Sequence, residues 1–342
     1  MPTPAAGRPS PTAAEEHDSD WSGVRLHVVT GKGGTGKTTV AAALAIALAT
    51  GGRRVLVMEV EGRQGLAQLF DVPQLPYQEQ RVAVAPGGGE VLGLAVEPKA
   101  ALLEYLQMFY KLGRAGTVLE KVGAVDFATT IAPGVRDVLL TGKVYEAVRR
   151  RRGRQPVFDA VVLDAPPTGR IGRFLNINTE LAGLARVGPI HSQADSIHGM
   201  LRSPQSVVHL VTLLEEMPVQ ETADAVEELS ATGLPIGGVV VNLAREQVLA
   251  SRRLGAAERG RLDADEVTEG LTAAGLDPAP AVVKGLLDEA GEHAARLALE
   301  QRERVRVEGL GRPVYELTAV PSGIDLGALY GLAEQLRDQG MA

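Results

Sequence analysis

The run Gly31-Lys32-Gly33-Gly34-Thr35-Gly36-Lys37-Thr38 constrains this chain more than any other feature. An apolar stretch rich in β-branched residues, RLHVVT (25–30), precedes it, and an Ala/Leu-rich stretch follows, ending at Gly51 and Gly52. A second apolar run, RRVLVMEV (53–60), comes next. Strand, glycine-rich turn, helix and strand in this order form a βαβ unit, and a βαβ unit implies a parallel sheet. Further apolar runs at 82–85, 91–96, 157–164, 206–213, 236–244 and 313–320 suit strands buried on both faces. The expected fold class is α/β: a P-loop NTPase with a mostly parallel central sheet flanked by helices, plus a helical insertion subdomain. Its domain spans 23–342, with helical insertions about 98–150 and 176–205. A charged helical segment covers about 245–309 and is broken at DPAP (277–280). Residues 1–22 are rich in Pro, Ala and acid and read as a disordered tail.

The eight residues satisfy G-x-x-x-x-G-K-[ST]. Glycines let backbone N–H groups turn inward around phosphates, Lys37 reaches the β/γ-phosphates, and the Thr38 hydroxyl takes a Mg²⁺ position. The N-terminus of the following helix adds partial positive charge. Gly31, Gly33 and Gly36 also satisfy G-x-G-x-x-G, and Glu59 stands where a ribose-binding acid would lie in a dinucleotide fold. Lys37 and Thr38 count against that rival, because only phosphoryl chemistry requires them. Asp164 decides between the two. It closes the apolar run VFDAVVLD, as a carboxylate that holds Mg²⁺ through water should.

Composition narrows the function classes. There are no cysteines, which excludes disulfides, thiolate metal sites and a cysteine nucleophile. Lys and Arg number 35 against 42 Asp and Glu, a net charge of −7, so no nucleic-acid partner is expected. The sequence shows neither a signal-peptide pattern nor an apolar stretch long enough to span a membrane, and a cytoplasmic location is expected. The run Arg149 to Arg152 reads as a solvated helix end, where cations are favourable. His191, His198 and His209 read as ordinary polar side chains rather than metal ligands.

Five segments in order, from about residue 25 to 336, resemble the ArsA/Get family of arsenical-pump and tail-anchored-protein-targeting ATPases. They are GKGGTGKTT (31–39), VLVMEVEGRQGLAQLFD (55–71), DAPPTGRIGRFL (164–175), MPVQETADAVEEL (217–229) with the following VVVNLA, and the TAVPSG loop (318–323). The resemblance implies a Mg²⁺- and ATP-dependent dimer. In it, Gly33, Gly34, Thr35, Gly36, Lys37, Thr38, Thr39 and Gly169 bind phosphates, while Asn242 and Pro321 contact adenine. Thr38 and, through water, Asp164 hold the metal. Lys32, the extra lysine of a deviant Walker A loop, is implied to reach the nucleotide of a facing subunit.

Departures from the family pattern bear on activity. Glu61 falls on the aspartate that orients the attacking water, and Gly62, Gln64 and Gly65 replace the proline, histidine and serine that follow. Arg170 replaces a histidine in the second switch and reads as a surface arginine. No zinc-binding CxxC and no thiols for arsenite are present. The stretches 101–112, 122–140 and 183–201 hold only Met108 and Met200, so a methionine-lined groove for a hydrophobic protein cargo is the lesser expectation, with core packing preferred. The expected function is a dimeric ATPase that couples ATP binding and hydrolysis to subunit opening and closing, as a homodimer or with a homologue. A weakly hydrolysing regulatory subunit paired with a homologous ATPase is the alternative. A partition or cell-division ATPase is weaker, because no basic amphipathic tail is present.

Overall fold

The computed structural model describes residues 20–110, 133–184 and 189–342. In chain order its elements are β1 (Leu26–Gly31), α1 (Lys37–Ala49), β2 (Arg54–Glu59), α2 (Gly65–Leu69), β3 (Gln80–Ala85) and β4 (Gly89–Ala95). Then come α3 (Pro98–Tyr110), α4 (Pro133–Arg149), β5 (Arg151–Arg152), β6 (Gln155–Pro156), β7 (Ala160–Asp164), α5 (Thr168–Leu184) and α6 (Pro189–Leu201). The chain continues with β8 (Ser206–Thr212), α7 (Glu216–Ala231), β9 (Ile236–Ala244), α8 (Ser251–Glu258), α9 (Ala264–Ala273), α10 (Pro280–Glu308), β10 (Val314–Thr318) and α11 (Leu326–Asp338).

Eight strands form one sheet in the order β10-β9-β8-β1-β7-β2-β4-β3. Every pairing is parallel except β3 against β4, where a hairpin through left-handed Gly87 and Gly88 closes the edge. Helices cover both faces, which is why the central strands carry apolar side chains on both sides. One face packs on α1 and α11. From Val40 to Ala49 every residue of α1 is buried, and its alanines let the helix lie close to the sheet. The other face packs on Leu139, Leu140 and Val144 of α4, Ile171 and Phe174 of α5, Ile197 of α6 and Leu229 of α7. The break at DPAP separates α9 from the 29-residue α10.

Two details differ from the sequence reading. The run 157–164 forms a strand only from Ala160; the exposed Asp159 before it donates its N–H to the Arg54 carbonyl at 2.7 Å and accepts the Arg54 N–H on its carboxylate at 2.7 Å. The expected tail lies outside the described residues up to residue 19, but Asp20 and Trp21 belong to the folded body. Trp21 Nε1 donates to the Tyr315 hydroxyl at 3.0 Å, and that hydroxyl donates to Asp20 at 2.6 Å. An indole beside β10 has apolar area to bury and an N–H to satisfy, and both needs are met here. The stretches 101–112, 122–140 and 183–201 each lie partly outside the described residues. Among the described residues no helix is long and apolar enough to cross a membrane.

Trp21 also packs edge-on against His209, with ring centroids 5.2 Å apart. His209 on β8 in turn lies with its Nε2 3.1 Å from Nδ1 of His27 on β1, and both residues are fully buried. Burial pushes His27 down to about 4, and pushes His209 well below its ordinary value with the His27 charge as a second cause. Both are therefore held neutral. The unfolded chain takes up their protons from about pH 6.5 downward, whereas the folded protein resists until about pH 4. Stability is full above pH 6.5 and falls as pH drops through that window. Going from pH 7.5 to 5, His27 alone costs about 2 kcal/mol. Urea unfolding at the two pH values checks this, and stability that rises on acidification contradicts it.

Candidate functional site

The carboxyl ends of β1, β7 and β2 lie side by side, the place where open α/β sheets hold ligands. Val29 pairs in register with Asp164, and Asp164 with Glu59. The glycine-rich loop leaves β1 here and enters α1. The first turn of α1 carries no acidic side chain, so its partial positive charge is left for an anion.

Tertiary contacts hold the loop in shape. Thr35 is buried, and its hydroxyl donates to the Lys32 carbonyl at 2.9 Å. Gly36 has φ +84°, and a Cβ there would lie 2.2 Å from Nδ2 of Asn242. That amide is buried and donates to the Thr35 carbonyl at 2.9 Å. Glycine is thus required at position 36 by its backbone conformation and by Asn242 together. Gly33 and Gly34 are exposed, and a Cβ at either would meet nothing within 4 Å, so no side chain crowds this part of the loop. Lys37 folds back and donates to the Lys32 carbonyl at 3.2 Å. Burial lowers the Lys37 pKa, and the Asp164 and Glu61 carboxylates oppose that shift.

Thr38 and Asp164, remote in sequence, meet directly: the hydroxyl donates to Oδ2 at 2.8 Å. Burial raises Asp164 to about 6. The Thr38 hydrogen bond and Lys37 pull it down, while Glu59 and Glu61 push it further up. Among the described residues no group of three or more His, Asp or Glu could hold a metal ion alone, but the Thr38 hydroxyl beside the Asp164 carboxylate supplies the few hard oxygens that Mg²⁺ takes from protein when phosphates and water complete its shell. The residues present therefore fit Mg²⁺ with a nucleotide.

Glu59, the rival ribose acid, is buried and already engaged. It accepts from the N–H groups of Gln64 at 2.5 Å and Leu66 at 3.2 Å, which fixes the start of α2 and the loop carrying Glu61. Glu61 sits on that loop with its side chain 18% exposed, 3.5 Å from Arg170 and 3.7 Å from Arg63. Arg170 is exposed, as its sequence position suggested, yet it reaches Glu61 and so links the segment after β2 to the start of α5. Gly169 lies exposed in the first turn of α5. The Thr30 hydroxyl, at the end of β1, donates to the Pro166 carbonyl at 2.7 Å and so ties the base of the glycine-rich loop to the segment after β7. Thr39 lies in the first turn of α1, and exposed Pro321 follows β10. Neither makes a specific contact with the loop.

Sequence reasoning missed Glu221. It stands on α7 and forms an ion pair with Lys32 at 2.8 Å. The quoted segment MPVQETADAVEEL contains it, but nothing local in the chain signals its partner.

A family model described as anion-transporting ATPase, ArsA_ATPase, matches residues 24–203. The chain belongs to the ArsA ATPase family. Its chemistry is ATP hydrolysis. ATPase BagA of Mycobacterium tuberculosis is 54% identical over 321 residues, covering 94% of each chain. ATPase get3 of Schizosaccharomyces japonicus is 27% identical over 179 residues, covering 50% of this chain and 52% of that one. The arsenical pump-driving ATPase of Escherichia coli is 27% identical over 232 residues, covering 62% of this chain and 38% of that one. Membership agrees with the resemblance read from the five segments.

Proposed function

We propose that this ArsA-family chain is a cytoplasmic Mg²⁺-dependent ATPase that acts as a dimer, its subunits closing on ATP and opening after hydrolysis to handle a cargo. Loop amides from Gly33 to Thr39 and the Lys37 ammonium hold the β- and γ-phosphates. Thr38 and, through water, Asp164 hold Mg²⁺, which when bound neutralises charge on the phosphates. Glu61 accepts a hydrogen bond from the attacking water and orients it. Gly169 donates its backbone N–H toward the γ-phosphate, so the second switch senses whether that group is present. Asn242, anchored to the loop, and Pro321 on the same sheet edge form the adenine seat.

The observation that carries the dimer is the position of Lys32. Its ammonium pairs with Glu221 on α7 at 2.8 Å, with about a third of each side chain exposed. A lysine at this lip is placed to leave Glu221 for a phosphate presented by a facing subunit. Sedimentation velocity with Mg²⁺ and a non-hydrolysable ATP analogue tests this. A shift from the 36.0 kDa chain toward twice that mass is expected, and Lys32→Ala should weaken it at least tenfold. A chain that stays monomeric with the analogue bound contradicts the homodimer.

One observation favours a second reading. Glu61 is longer than the aspartate it replaces and lies between two arginines, which suits a subunit that hydrolyses slowly and pairs with a homologous ATPase.

A further inference from the structure

A second polar cavity lies at the opposite end of the sheet. It is about 470 Å³ in volume and opens beside the amino ends of β1 and β8, between α4 and α6. The six residues of β1 separate it from the phosphate loop, on the order of 20 Å. Arg25, Arg149 and Arg151 line it, with Tyr145, Ser203 and Gln205.

The arginines are held by neutral acceptors. Arg25 donates to the Phe158 carbonyl at 2.9 Å, and its buried Nε has no partner. Arg149 donates to the Tyr145 hydroxyl and stacks over that ring. Arg151 donates to the Arg154 carbonyl at 3.1 Å. Arg150, between them in sequence, shows the contrast: it is paired with Glu146 and Glu79 at 2.7 and 2.6 Å. Among the described residues no carboxylate lines the cavity or pairs with any of the three arginines. Burial lowers the Arg25 pKa most, repulsion from Arg151 lowers it further, and the Asp159 carboxylate opposes them by less. The ends of α4 and α6 contribute roughly half a negative charge each, against three full positive charges. The surplus is about two. In a chain of net charge −7, such an uncompensated cluster around a cavity asks for an anion.

We propose that this cavity binds a phosphate monoester. A carboxylate would cancel one charge only. A phosphate monoester carries −1.5 to −2 charges and three acceptor oxygens, matching the surplus and the planar guanidinium forks. The volume leaves room for a sugar-sized organic group beyond the phosphate. The run Arg149 to Arg152, read from sequence as a solvated helix end, would thus be divided between one structural arginine and two that face a ligand.

The test uses the full chain saturated with Mg·ADP, so that the phosphate loop is occupied. Ribose 5-phosphate is titrated at constant ionic strength and followed by calorimetry, beside ribose and inorganic phosphate. Binding of the ester but not of ribose is expected, weakened at least tenfold in Arg149→Ser/Arg151→Ser with ADP affinity unchanged. Both arginines are exposed, so the variant should fold. Arginine-dependent binding of phosphatidate vesicles without binding of the soluble ester would also support a phosphate site and assign its source to a lipid headgroup. No binding of ester, phosphate or vesicles, or equal binding by the double variant, would overturn the proposal.

Discussion

Asp164→Asn should stop ATP turnover and yet make the nucleotide-free protein more stable. The carboxylate's folded value of about 6 lies above its ordinary 3.8. The folded state therefore binds the proton more tightly than the unfolded state. Stability is lost as pH rises from 3.8 through 6, and the cost stays at its full size at neutral pH. The shift of roughly two units corresponds to about 3 kcal/mol. Asparagine removes the buried charge and keeps an oxygen to accept from Thr38. Between 1 and 3 kcal/mol of added stability is expected at pH 7.5, approximately, since relaxation takes part of the gain. Turnover should fall by about 10³ or more, since a charged Mg²⁺ partner is lost. Because Asp164 and the His27–His209 pair act in opposite directions below pH 6.5, the variant should also lose stability more steeply on acidification than the wild type. Urea unfolding at pH 7.5 and 5 reads both effects. A variant less stable than wild type at pH 7.5 would contradict the assignment of burial as the dominant cause.

Glu61→Gln should lower turnover by about 10², the lower end of what a positioned general base contributes, with nucleotide affinity nearly unchanged. The amide keeps the shape but accepts a proton poorly. Its ion pairs with Arg170 and Arg63 are long and partly exposed, so their loss should change folding stability by under about 1 kcal/mol. Steady-state turnover beside ADP binding separates the two roles. Turnover within twofold of wild type would remove Glu61 from the chemistry. Glu61→Asp is informative in the same assay. A rate increase would show that the extra methylene holds the carboxylate away from the water.

What was legible in the sequence is what short-range pattern encodes. The apolar strands, the loop between β1 and α1, the carboxylate ending β7 and the break before α10 each have a local signature. They were placed correctly to within a few residues at their ends. What was not legible depends on which segments the sheet order brings together. Glu221 meets Lys32 because α7 follows β8, and β8 lies beside β1. Asn242 meets the loop from β9, where its amide makes glycine at position 36 obligatory. Glu59 has the spacing of a ribose acid but the burial and hydrogen bonds of a loop anchor, and no periodicity separates the two. Pro, Ala and acid around Trp21 read as tail, whereas one half-buried indole packed on the core and bonded to Tyr315 outweighs that composition. The His27–His209 contact joins side chains on the neighbouring strands β1 and β8, two residues out of register, since His27 pairs with Val207 and His209 with Val29.

The most direct measurement is steady-state turnover of Mg·ATP by the purified chain, with Lys37→Ala as the blank. Wild-type turnover well above the blank is expected, saturating with ATP and requiring Mg²⁺. ATP bound by the wild type but hydrolysed no faster than by Lys37→Ala would contradict the assignment of Glu61 and Asp164 as a complete hydrolytic site in this chain.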